Sequence, residues 1–350
     1  MLLKEVGFEE LTDYIEVFPR LGSSSILIAF SGADTPRGRF HYFNLLKNYD
    51  ENVILVNSTK EDYYQFGLDG VGGLPDSINL LRKIIRKLAG ENAVIRTFGC
   101  SMGGYGALLY GSLLKAKEIY AFGPTGPLYS ASIYGGPFHK KNIEKYQEVK
   151  NYIFDSKCIK YLIFGDEIIH DHAAAVEFLG LQNAELIMFE GAKHAVIQPL
   201  LENFSVKNLF DFELIKSFSP IYDNKVFLEG DFIVDFLRFV TNKVSRDDFL
   251  IFYNKNKDFI FKYNSYKYWA AFGFFRAGDV GRACSLLGES ITLDRMVSLK
   301  SLDLFCSLKE HFSASYIDRV RSVCLEVVDA DGRLTRVDKD KIKKIARELG

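Results

Sequence analysis

The run Ala93-Val94-Ile95-Arg96-Thr97-Phe98-Gly99-Cys100-Ser101-Met102-Gly103-Gly104-Tyr105-Gly106 decides how the rest of the chain is read. Its first half, AVIRTF, is a short apolar strand candidate, and residues 103–114 suit a helix. Between the two stands G-x-S-x-G. A strand that turns directly into a helix around a serine makes a sharp elbow. Glycines are needed there because backbone lies against backbone, and the serine is forced into strained dihedrals. The turn lifts the hydroxyl above the sheet edge and aims N–H groups of the new helix at whatever the serine holds. Ser101 is therefore the candidate nucleophile. The competing reading is a glycine-rich strand–helix turn that binds a phosphate or merely packs tightly.

Outward from this elbow the same rhythm repeats. Apolar runs at Ser25–Phe30, Asn52–Asn57, Glu118–Phe122, Ile159–Phe164 and Glu185–Phe189 are too continuously apolar for half-exposed strands. Strands covered on both faces of a parallel sheet read this way. Helix candidates lie between them: Asp76–Leu88, with Asp76 as a cap, then Gly103–Leu114, Asn142–Phe154 and Ala173–Leu179. The alternation predicts an α/β domain with a doubly wound, mostly parallel sheet over residues 1–204. Residues 1–22 are expected to add a helix or edge strands. Residues 123–140 (GPTGPLYSASIYGGPFHK) have loop composition and sit where a lid would. They are short and carry the aromatics Tyr129, Tyr134 and Phe138.

Beyond residue 204 the strand rhythm stops, and residues 205–350 are expected to form an all-helical C-terminal appendage supplying no reacting group. Tyr266–Asp294, with Trp269 and Leu293-Asp294, resembles one tetratricopeptide-type helix hairpin, with small residues such as Gly273 and Ala283 where helices pack and Gly278-Asp279 at the turn; an ordinary helical hairpin is the alternative. One such unit cannot bury its own face, so it must pack on something else, which leaves room for a protein partner. Val327–Gly350 faintly resembles the helix–turn–helix of TerB-type tellurite-resistance domains. Read as a calcium loop, its first and last ligand positions would be Val327 and Asp338, which disfavours a metal.

Composition bounds the remaining choices. A chain of 350 residues, 48% apolar and 25% charged, can build a large core and a solvated surface. A formal charge of -1 gives no reason to expect a nucleic-acid partner. The five cysteines are scattered, without a C-x-x-C pair, so zinc ribbons and a disulfide framework are disfavoured. No apolar stretch suits a membrane span and no signal peptide is read at the start, which together give a cytoplasmic expectation.

With strand, elbow and helix in that order, Gly-Cys-Ser-Met-Gly-Gly resembles the nucleophile elbow of the α/β-hydrolase fold, over residues 20–203 or so. The resemblance implies a serine hydrolase cleaving a carboxylic ester or thioester without a cofactor. It also implies the order Ser, then Asp or Glu, then His. The histidine follows the last strand, which indicates His194. His41 precedes the serine, His139 sits in the lid-like loop and His311 in the C-terminal helices, so these fit less well. The acid follows the preceding strand, where Asp166, Glu167 and Asp171 compete. Asp171, just before Ala173-Ala174-Ala175, is favoured over Asp166, with Glu167 third. His170-Asp171-His172 also invites a metal reading, but no further ligand cluster accompanies it. By the same resemblance Met102 supplies one oxyanion amide. Ala33 supplies the other from Ser31-Gly32-Ala33-Asp34, where Ser-Gly stands for the usual His-Gly. Phe30–Leu46, Asp62–Gly67 and the elbow together look like bacterial hydrolase-like proteins of surface-glycan pathways, which would make an O-acyl group on a glycan one substrate. Arg37, Arg39 and Tyr63 would then lie at the mouth. The alternatives are an acyltransferase using the same triad, and an inactive hydrolase fold serving protein interaction.

Overall fold

The computed structural model describes residues 13–33, 35–60, 62–126, 137–165, 169–189, 192, 194–218, 236, 245–262, 264–291, 299–330 and 336–350. Among them, seven strands form one sheet: β1 (Ile15–Phe18), β2 (Ser25–Phe30), β3 (Asn52–Val56), β4 (Val94–Cys100), β5 (Glu118–Phe122), β6 (Ile159–Gly165) and β7 (Ala184–Phe189). Their order is β1-β3-β2-β4-β5-β6-β7. Every pairing is parallel except β1 with β3, where Ile15 lies opposite Val56. The elbow strand β4 is central, and the expected edge strand from residues 1–22 is β1.

The continuous apolar runs are explained by the two cores they feed. Alternate residues of a strand point to opposite faces. Ile26, Ile28, Phe30, Ile54, Val56, Ala121, Leu162 and Met188 enter one core; Leu27, Ala29, Val53, Leu55, Phe98, Phe122 and Ile163 enter the other. All are buried, and each large side chain so covered contributes roughly 1.5–3 kcal/mol.

Helices α1 (Phe43–Leu46), α2 (Leu74–Ala89), α3 (Met102–Leu114), α4 (Pro137–Phe154), α5 (Ile169–Glu177) and α6 (Ile197–Asn203) connect the strands and follow the last. α2 begins two residues earlier than expected. Gly73 is its cap, and Asp76 sits at the third helical position, its carboxylate accepting from the Gly73 N–H at 3.1 Å. α5 begins four residues earlier than expected, so Asp171 lies in its first turn and does not cap it. Residues 137–140 of the expected loop belong to α4; Tyr129 and Tyr134 lie outside the described residues, and so does Phe138's side chain.

Beyond α6 come a 3-10 turn (Val206–Phe210) and α7 (Phe212–Phe218), then α8 (Arg246–Lys262), α9 (Asn264–Arg276), α10 (Val280–Ser290), α11 (Leu299–Leu308), α12 (Ala314–Ala330) and α13 (Arg336–Glu348). Leu209, Phe212 and Ile215 are buried in the second core, so the chain continues to cover the sheet past residue 204. α9 and α10 are the hairpin read from Tyr266–Asp294. Gly278 turns between them at φ +80°, and Asp279 caps α10 by accepting from the Arg282 N–H. A side chain at Gly273 would collide with the Phe249 ring of α8, which is what the small residue is for. Leu293 and Asp294 lie outside the described residues, as do 331–335 between α12 and α13. No described helix is long and apolar enough to cross a membrane.

Candidate active site

The elbow forms as its composition requires. Ser101 has φ +58° and ψ -126°, a left-handed region that non-glycine residues occupy only under constraint. Three bonds impose that constraint. The Ser101 N–H donates to the Phe122 carbonyl at 2.9 Å, and its own carbonyl accepts from Tyr105 at 3.2 Å and Thr125 at 3.3 Å. A Cβ at Gly99 would fall on the Gly103 carbonyl, and one at Gly103 on the carbonyls of Phe30 and Ser31. The two flanking glycines are thus what lets β4, α3 and the β2 loop meet around the serine.

β1 antiparallel at one edge, six parallel strands in the order given, and a strained serine between the central strand and a buried helix define the architecture. This is the α/β-hydrolase fold.

No protein-family model and no curated protein matches the sequence. Solved structures do. Est1E from Butyrivibrio proteoclasticus is 14% identical, over 57% of this chain and 93% of its own, with a TM-score of 0.43. The glycosylation-associated Gap123 complex from Streptococcus agalactiae is 15% identical over 57% of this chain and 43% of that one, at a TM-score of 0.44. The capsule O-acetyltransferase of Neisseria meningitidis serogroup A is 14% identical over 58% of this chain and 91% of its own, at 0.38. Likenesses this distant carry nothing about substrate or reaction.

Three of the residues singled out from sequence meet. His194 Nε2 lies 2.8 Å from Ser101 Oγ, and His194 Nδ1 lies 2.6 Å from Asp171 Oδ1. The Asp171 carboxylate can only accept, so Nδ1 carries the proton and Nε2 is free to accept from the serine hydroxyl. His194 stands just past β7, and Gly123, at φ +49°, makes room for it: a Cβ there would meet the His194 carbonyl at 2.7 Å. Asp171 is 2% exposed, while His194 is about one-third exposed. Burial tends to lower the His194 pKa, but the charge and hydrogen bond of Asp171 outweigh it and leave it raised. Burial, with Asp171 nearby, pushes the Cys100 thiol up to about 12, so it stays protonated beside the serine.

The two residues read as oxyanion donors lie on the elbow and on the loop after β2. Met102 opens α3, where N–H groups have no intrahelical acceptor. Ala33 follows Ser31 and Gly32, whose backbone packs on Gly103 and Cys100. Among the described residues no backbone carbonyl takes the Ala33 amide.

Asp166 and Glu167, the competing acids, and the side chain of His170 lie outside the described residues. His172 faces away from the metal reading: it is fully buried, and its Nδ1 lies 3.1 Å from the Tyr266 hydroxyl. Among the described residues no group of three or more His, Cys, Asp or Glu is placed to hold a metal ion. Arg37 is exposed and paired with Asp13 at 2.7 Å, and Arg39 is exposed. Tyr63 has φ +56° and packs edge-on against Tyr105, one turn after Ser101.

Sequence reasoning missed two ring side chains near the elbow. The Tyr64 hydroxyl donates to the Ser31 carbonyl at 2.7 Å, and His41 bonds Gly32. Neither carries a local signal; only the excess of tyrosine around residues 63–64 hinted at a packed wall there.

Proposed function

We propose that the chain is a serine hydrolase that transfers an acyl group from an ester or thioester to water. In this reading Ser101 Oγ attacks the carbonyl while His194 Nε2 takes its proton. Asp171 holds the imidazole in the productive tautomer and stabilises its cation. The amides of Met102 and Ala33 receive the oxyanion. His194 then returns the proton to the leaving group, and water repeats the sequence in reverse to free the acid. A carboxylic ester is the substrate class proposed, an O-acyl group on a glycan among them. Helices α8–α13 contribute no reacting group in this scheme.

The observation that carries the reading is the unbroken relay from Asp171 through His194 to Ser101, with bonds of 2.6 and 2.8 Å, built on a strained serine. Strain at such a position has to be maintained by the surrounding fold, and an ordinary packing turn has no use for it. A fluorophosphonate probe tests it. Wild type should label and Ser101→Ala should not. A folded wild type that stays unlabelled would leave the fold as an interaction module.

A further inference from the structure

We propose that His41 is a positioning residue that locks the loop bearing the Ala33 oxyanion amide, by clamping Gly32 on both sides through its ring and Thr35. The inference rests on the reading of Ser101 as nucleophile.

Four contacts carry it. The Gly32 N–H donates to His41 Nδ1 at 3.1 Å. His41 Nε2 lies 3.0 Å from Thr35 Oγ1. Thr35 Oγ1 donates to the Gly32 carbonyl at 2.8 Å. The His41 N–H donates to Ser31 Oγ at 3.3 Å. Proton counting fixes the directions. Thr35 has a single hydroxyl proton, and it is committed to Gly32. His41 Nε2 must therefore donate to Thr35, which leaves Nδ1 as a lone pair for the Gly32 amide. The bonds close a ring through both nitrogens of the imidazole and both backbone groups of one residue.

Only the neutral imidazole protonated at Nε2 satisfies the ring. An imidazolium would set a second N–H against the Gly32 N–H. Burial of His41 favours the neutral form. The loop is held on its other side as well. The Ser31 N–H donates to the Val56 carbonyl at 2.9 Å, and the Ser31 carbonyl accepts from Tyr64. The ring also packs on Gly32 itself, where a Cβ would come within 3.1 Å of His41 Cε1. With Ser31 and Gly32 fully engaged, Ala33 offers the first amide beyond the clamp. Preorganised donors of this kind act by their placement, so loosening the clamp costs rate in the step where charge develops.

Two measurements decide it. In ¹⁵N-edited NMR of the wild type at neutral pH, His41 should show an unprotonated Nδ1 and a protonated Nε2; the opposite tautomer, or an imidazolium, would overturn the clamp whatever the activity. In kinetics on p-nitrophenyl acetate, His41→Leu should lower kcat roughly 10- to 100-fold with KM little changed, less than the full loss of one oxyanion donor. His41→Asn, whose Oδ1 can still accept from Gly32, should recover most of it. An unchanged kcat in folded His41→Leu, or an Asn variant as impaired as the Leu variant, would reduce His41 to a packing residue. If His41→Leu does not fold, Thr35→Val opens the same ring at nearly constant volume and should also lower kcat; an unaffected kcat there overturns the proposal. A wild type that fails to label with fluorophosphonate removes the Ser101 reading and the kinetic consequence with it, while the tautomer still decides the clamp.

Discussion

His194 is pulled in two directions, and the balance predicts its pH behaviour. Burial disfavours its cation, Asp171 favours it, and the net result lies above the ordinary value of 6.5. If His194 is the proposed general base it must start neutral, so kcat/KM should rise with pH along a limb whose midpoint lies above 6.5. Asp171→Asn removes the raising contribution and leaves burial. The limb should then move to lower pH while the plateau falls by roughly 10²- to 10⁴-fold. An unmoved limb would show that another group sets the titration. Stability follows the same linkage with a definite sign. A pKa raised by folding adds stability below the unfolded value and loses it as pH rises through the folded one. The His194–Asp171 pair should therefore help least at alkaline pH. Asp166→Asn should cost less than about tenfold in the same assay, since the histidine already has its partner; the reverse ranking of the two variants would hand Asp166 the role.

At the scale of elements, α5 carries Asp171 in its first turn and Glu177 in its last. Both oxygens of the Glu177 carboxyl are buried. Burial pushes its pKa from 4.5 up to about 7, and the neighbouring Tyr146 hydroxyl pulls it back only in part. A side chain at Gly126 would collide with this carboxyl, so the chain leaving β5 lies directly over it. Folding thus favours the protonated acid, and stability should fall as pH rises from about 4.5 to 7. Glu177→Gln keeps the shape without the charge. It should stabilise the fold at pH 8 by on the order of 3 kcal/mol at most, read as a raised melting temperature, and flatten the dependence over that range. Equal melting curves for the two proteins at pH 8 would show that the carboxyl finds compensation there. The elements themselves were largely legible in the sequence for a physical reason: strands covered on both faces read as unbroken apolar runs, and the tight turn of the elbow needs glycines whatever they meet. Ser101, His194 and Asp171 could be singled out because each follows a strand whose order the fold prescribes, Asp171 from within the first turn of α5. Helix starts were less legible, since Asp76 serves α2 from its third position and Asp171 sits one turn inside α5. His41, Tyr64 and Tyr266 were not legible, because their partners lie 9, 33 and 94 residues away. No local pattern encodes such a meeting.

On the scale of the whole molecule, the C-terminal helices and the sheet share one core. Ile28 and Phe30 of β2, Ala174 and Ala175 of α5 and Tyr266 and Ala270 of α9 all belong to it. Tyr266 is the joint. It is fully buried, its hydroxyl meets His172, and its ring lies 5.2 Å from the imidazole and 5.6 Å from the rings of Phe236 and Phe259. His172 is the next residue after Asp171, so two adjacent side chains of α5 point one to His194 and one to the helices. Two parts that share buried surface unfold together, because exposing one leaves the other's apolar face in water. Calorimetry should therefore show one endotherm for the full chain. Tyr266→Phe keeps the ring and deletes a hydrogen bond at a buried histidine, a loss of about 1–3 kcal/mol. That loss should lower the whole endotherm by a few degrees, as expected for a chain of this size. It should also lower kcat several-fold with KM nearly constant, because the first turn of α5 is what fixes Asp171 against His194. Two endotherms, with only one of them moved by Tyr266→Phe and kcat untouched, would mean that the helices fold apart from the sheet and leave the Ser101–His194–Asp171 contact to the sheet domain alone.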